Sequence, residues 1–199
     1  MNTFRDLILY LLVTATMQNM VITTGFGSSS LARMLRRPRQ RRTFSKLLLG
    51  FTLATTVVFY PIDALVSKML WARALRPLVA VIVTALVYVA AVLICRRKLP
   101  NWYHRVHRFF PLAAFNSIVI GVALIANYQS QMGFLPAVGI AVGSSLGFSI
   151  ISAMSAEALE RMDNPDTPQA FRGLPGVLVY LGLLALALMG FEPLVRNLI

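Results

Sequence analysis

A chain of 199 residues that is 57% hydrophobic and 13% charged, with mean hydropathy +0.70, is not an ordinary soluble domain, in which about a quarter of residues are charged. The formal net charge of +12 would suit nucleic acid, but the positive residues collect in short stretches between apolar runs, and none is interleaved with stacking aromatics on a soluble fold. The single cysteine, Cys95, excludes an internal disulfide and any cluster held by cysteines of this chain alone.

The composition predicts an all-α integral membrane protein with residues 1–199 in one membrane domain. Six spans are expected at about 7–26, 44–60, 78–95, 109–127, 134–156 and 176–191. The first follows Arg5, yet no small-x-small cleavage site closes it and Gln18-Asn19 interrupts it, so it reads as a mature span and not a signal peptide. Its second half, Thr23–Ser30, holds two glycines and five hydroxyl residues in eight positions. That composition favours an unwound or re-entrant backbone, which survives at membrane depth only where protein or water covers it. A basic stretch, Arg33–Lys46, reads as a cytoplasmic loop that could dock acidic partners or lipid headgroups. In span 2, Gly50, Thr52, Thr55 and Thr56 suit close helix contact or a hydroxyl-lined ion path, and Pro61 is expected to end or bend it. A loop from Ile62 to Arg76 is expected to hold Asp63, Lys68 and Arg73.

Span 3 is uniformly apolar and reads as lipid-facing, with Cys95 at its end. The basic loop Arg96–Arg108 carries an expected turn at Pro100–Tyr103 and two histidines, His104 and His107, read as interfacial and not as metal ligands. Span 4, FFPLAAFNSIVIGVALIAN, has Asn116-Ser117 at its centre and Gly121 just after. A polar pair there is costly in hydrocarbon and marks an interior or a pathway. Asn127–Gln131 reads as an uncharged loop. Span 5 holds Gly139, Gly143, Ser144 and Gly147, a small-residue face that demands a close neighbour. Glu157, Glu160 and the turn Asp163–Asp166 precede span 6, and Glu192 and Arg196 follow it. The carboxylates all fall in tails, loops or span ends, which disfavours a buried carboxylate relay.

The stretches after spans 1, 3 and 5 carry fourteen of the nineteen basic residues, which places that side in the cytoplasm and both termini outside. A weak repeat relates Asn19-Met20-Val21-Ile22 to Asn116-Ser117-Ile118-Val119, and Gly50 with Thr55 to Gly139 with Ser144. With three spans per half, the halves are inverted, and broken helices at matching positions suggest a site at mid-membrane.

Span 4 resembles the fourth span of the A subunit of the Rnf electron-transport complex and of the related E subunit of the sodium-pumping NADH:quinone reductase. Further resemblances run along the chain at Gln18–Val21, Leu53–Thr56, Gly143–Ser149, Ala170–Gly173 and Leu188–Phe191. The resemblance implies a membrane subunit of an ion-translocating ferredoxin:NAD oxidoreductase, paired with a homologous sister subunit of inverted topology and with other Rnf-type subunits in the bacterial inner membrane. In that family one cysteine in each broken span, with two from the sister subunit, holds a [2Fe–2S] cluster. The matching positions here are Ser29 and Ser117, and a serine hydroxyl is a poor ligand for that iron. No cofactor, catalytic residue or metal ligand is therefore expected on this chain alone. The candidate central residues are Asn19, Thr24, Gly25, Gly27, Thr55, Asn116, Ser117, Gly121 and Ser144. Two other readings stay open: a small permease subunit without a redox role, and a structural membrane subunit. Reporter fusions within Arg36–Arg42 and Arg96–Arg108 should score as cytoplasmic; an external signal from both would invert the orientation.

Overall fold

The computed structural model describes residues 3–16, 18–69, 71–129, 133–165 and 167–190. The fold is all-helical: α1 (Thr3–Ala15), α2 (Met20–Thr23), α3 (Ser28–Met34), α4 (Pro38–Val66), α5 (Ala72–Lys98), α6 (Pro100–Val106), α7 (Phe110–Ala114), α8 (Ser117–Gln129), α9 (Phe134–Met162) and α10 (Leu174–Met189). Single 3₁₀ turns at His107–Phe109 and Gln169–Phe171 complete the described elements.

Among the described residues three helices, α4, α5 and α9, are long and apolar enough to cross a membrane. A 29-residue helix is about 43 Å long, more than the roughly 30 Å of hydrocarbon. The segments Pro100–Ala114 and Ser117–Ala126 meet the same standard as a pair but bend by 52°. The bend falls at Phe115-Asn116, where the sequence predicts the break. With 13 and 16 residues, α1 and α10 are shorter.

Helix α9 is the hub. Gly139, Gly143 and Gly147 lie one turn apart along one face, and α1 seats against it. A Cβ on Gly139 would stand 2.6 Å from the Leu7 carbonyl oxygen, and one on Gly143 2.5 Å from that of Leu11. The small face demanded by the sequence thus has α1 as its neighbour, the close approach that small residues permit between membrane helices. On another side α9 meets α4, through Phe44 and Phe148 at 5.6 Å between ring centres and through Thr52 Oγ1 and Ser145 Oγ at 2.5 Å. Helix α5 buries only Ala80, Val83 and Thr84 and presents Leu78, Val81, Ile82, Leu86, Val89, Leu93 and Ile94 outward, as expected of a lipid-facing helix.

Five sequence expectations are corrected. Pro61 does not end its helix: α4 continues to Val66, because the proline removes one N–H and membrane helices tolerate that loss. Asp63 is therefore on a helix and buried, not in a loop. Arg76 on α5 forms an ion pair with it, Nε standing 2.8 Å from Oδ1 and Nη2 donating to Oδ2 at 3.2 Å, which clips the α4–α5 hairpin near its turn. Pro100–Tyr103 is the start of a helix, since a proline at the first position is already set for one. Asn127–Gln129 continue α8, while the rest of the expected loop, Ser130-Gln131, lies outside the described residues, as do Asp166, Glu192 and Arg196. Gly50 is exposed with nothing close by, whereas Gly139 is packed on backbone, so the Gly50/Gly139 half of the repeat has no counterpart in packing.

Gly143→Leu should drive α1 off α9 and cost about 1–3 kcal/mol or more, read as a lower melting midpoint in mild detergent. Gly182→Leu, which meets open space, should leave the midpoint unchanged.

Candidate functional site

The two broken segments meet. After α1 ends at Ala15, Asn19 opens the four-residue α2, its Oδ1 accepting the Val21 N–H at 3.0 Å. After α7 ends, Asn116 opens α8 in the same way, its Oδ1 accepting the Ile118 N–H at 3.0 Å. An asparagine at this position satisfies one of the N–H groups that a helix start leaves unpaired. The Asn19/Asn116 match in the sequence is thus a match of local geometry as well.

Between α2 and α3 the chain turns through Gly25 and Gly27, at φ +71° and +78°. Gly27 needs its missing side chain twice. Its φ is left-handed, and a Cβ would stand 2.5 Å from Ile118 Cδ1 on α8. The Gly27 N–H donates to Ser117 Oγ at 2.9 Å, and Asn116 Nδ2 donates to Ser30 Oγ at 2.9 Å. The Phe26 ring fills the space that a Cβ on Gly121 would need. Four contacts therefore join the first break to the fourth span, across about ninety residues of chain.

The expected central residues divide into groups. Gly27, Asn116, Ser117 and Gly121 form this junction. Asn19 is fully buried and packs instead on Gly147 of α9, its Nδ2 donating to the Ala15 carbonyl at 3.2 Å. Thr24 and Gly25 sit on the exposed side of the turn, with Thr24 Oγ1 bonded to the Met20 carbonyl at 2.6 Å. Thr55 and Ser144 lie apart from the junction, fully buried on α4 and α9. Among the described residues their hydroxyls, and that of Thr56, find no hydrogen-bond partner. Helical serines and threonines usually return the hydroxyl to a carbonyl one turn back, as Thr52, Ser145 and Ser155 do here. A buried hydroxyl left unpaired costs about 1–3 kcal/mol, so these three are available to another oxygen-seeking group.

Sequence reasoning missed Ser30 and Phe26, the partners that Asn116 and Gly121 use, and the Thr52–Ser145 bond beside the residues singled out. The triplet Ser28-Ser29-Ser30 contained the signal for Ser30 but not the helical phase that selects it. Ser29 and Ser117 are both exposed on this chain. Cys95 lies near the end of α5, away from both breaks in the chain. Among the described residues no three His, Cys, Asp or Glu side chains cluster as metal ligands, and His107 Nδ1 pairs with the His104 carbonyl at 2.8 Å.

A model of the family described as "Rnf-Nqr subunit, membrane protein" matches residues 7–195, which contain the whole junction. The chain belongs to that family. Similar relatives are each named as the A subunit of an ion-translocating oxidoreductase complex. That of Pseudomonas aeruginosa (strain LESB58) is 35% identical over 156 residues, 74% of this chain and 80% of the relative. That of Pasteurella multocida is 29% identical over 191 residues, 96% of this chain and 99% of the relative. That of Actinobacillus pleuropneumoniae serotype 5b is 29% identical over 198 residues, 96% and 98% of the two chains. The protein is thus a multi-pass membrane protein of the Rnf-Nqr family.

Asn116→Leu removes both the α8 cap and the bond to Ser30. It should cost about 2–4 kcal/mol and impair assembly, measured as the yield of folded protein in membranes. Arg39→Gln/Arg41→Gln in the basic stretch should leave that yield unchanged.

Proposed function

We propose that this chain is the A-type membrane subunit of an Rnf-type ion-translocating oxidoreductase complex. The observation that carries the reading is the near full-length similarity to relatives named as that subunit, with the paired breaks falling inside the matched residues. In this reading the chain crosses the bacterial inner membrane six times, with its basic end in the cytoplasm and both termini outside. It pairs with a homologous sister subunit of inverted topology, and other subunits carry the flavins and soluble clusters. The chain supplies scaffold and a share of the electron or ion path and catalyses nothing alone. The Asn116–Ser117 junction is the rigid centre of the site, and the unpaired hydroxyls of Thr55, Thr56 and Ser144 are the groups that would offer oxygen to a passing cation.

The membrane [2Fe–2S] cluster does not fit the residues present. Its two expected positions on this chain hold Ser29 and Ser117, and Ser117 Oγ already accepts the Gly27 N–H. A serine hydroxyl is harder than a thiolate and is deprotonated far less readily. No electron-transfer step is assigned to that cluster in this chain.

Purification of the tagged chain from native membranes in mild detergent, with subunits identified and iron measured on one sample, tests both parts. Flavin-bearing and ferredoxin-like subunits should accompany it, with iron accounted for by those soluble subunits. Iron in excess would restore a membrane cluster with thiolates from a partner. Recovery of the chain alone, or with a transport ATPase, would replace the redox reading with the permease reading.

A further inference from the structure

We propose that the basic end of the α4–α5 hairpin, together with α6, is a binding surface for the phosphodiester headgroups of anionic phospholipids. The hairpin brings the start of α4 and the end of α5 to one end of the bundle. Lys46 stands there at the start of the apolar run of α4, and Arg96, Arg97 and Lys98 follow directly on the apolar run of α5. Arg105 on α6 and Arg108 in the next turn complete the set. All six are exposed, and none makes an ion pair among the described residues. The reason lies in the sequence: no acidic residue occurs between Asp6 and Asp63, or between Asp63 and Glu157.

Two observations favour lipid over an acidic protein. The first is depth. These cations sit within about a turn of the apolar runs, where headgroups lie, and their aliphatic stems reach the interface from there. The second is α6. Its Tyr103 and Trp102 pack edge-to-face with Phe110 at 5.5 and 6.0 Å between ring centres, Phe110 packs edge-to-face with Phe51 of α4 at 5.6 Å, and Trp102 remains 42% exposed. A short helix pinned by aromatics at the end of the bundle, with one indole half-exposed and basic residues around it, has the composition of an interfacial element. Charge that serves only to set topology needs no preference among lipids, so lipid selectivity separates the two roles.

The test uses the full chain in mild detergent, titrated with phosphatidylglycerol or phosphatidylcholine, with lipid binding and melting midpoint both read. Phosphatidylglycerol should bind in preference and raise the midpoint, and added salt should erase most of that preference. Arg97→Gln/Lys98→Gln/Arg105→Gln should weaken the preference on the order of a hundredfold. Lys68→Gln/Arg73→Gln, at the other end of the hairpin, should leave it intact. Equal binding of the two lipids, or a preference that the triple variant retains, would overturn the proposal. So would polyglutamate that displaces phosphatidylglycerol with equal strength, which would give the surface to an acidic protein. If the triple variant does not fold, the salt dependence of the unmodified chain decides, and a salt-insensitive preference overturns the proposal.

Discussion

The structure depends on one constraint: backbone N–H and C=O groups within a membrane must find partners inside the protein. Two apolar segments of this chain break part-way, and each break frees such groups. The chain answers with its own side chains. Asn19 and Asn116 cap the helices that restart, and Ser117 receives the Gly27 N–H from the other break. A break that would be expensive alone becomes the contact that holds the two halves together. Glycine at 27 and 121 is the counterpart, since Ile118 and the Phe26 ring occupy the space that side chains there would need.

The rest of the packing serves that junction. The short α1 lacks the length of the long helices and gains its place from contact with the glycine face of α9. That contact carries the first break inward: the last glycine of the face, Gly147, seats Asn19, the residue that starts α2. Helix α9 meanwhile fixes α4 through Thr52–Ser145 and Phe44–Phe148. One helix thus ties the first break to α4, and the clip between Asp63 and Arg76 ties α4 to the lipid-facing α5.

Where the chemistry of single residues is strong, the sequence announces the structure. The Gln18-Asn19 and Asn116-Ser117 interruptions, the glycines of α9 and the plain apolar run of α5 all carry their meaning in composition and spacing. What was hidden depended on relations between distant residues. Asp63 looked like a loop carboxylate because a proline stands two residues before it, and only the helical continuation brings Arg76 within reach. Among three adjacent serines, the helical phase of α3 selects Ser30 to meet Asn116, and no local pattern fixes that phase. The partner of the glycine face was equally invisible, because any of several helices could have filled it. Resemblance carried further than periodicity here, since the order of short motifs along the chain survives where no single motif is specific.

Two exposed surfaces of the bundle differ in kind, and the difference bears on assembly. Along α5 the outward residues are aliphatic, which hydrocarbon accepts. Around the first break they are Thr23, Thr24, Gly25, Ser28 and Ser29, joined by Ser117 from the fourth span. Hydroxyl groups and an irregular backbone at membrane depth are stable only against protein or water. Under the proposed A-type role, a neighbouring subunit packed there would supply that protein. The same face carries serine at both positions where the resemblance expects cluster cysteines. A partner docked there would therefore meet a surface that offers hydrogen bonds where thiolate ligands would stand. Hydroxyl groups can meet the membrane's demand for polar pairing, but they offer no thiolate.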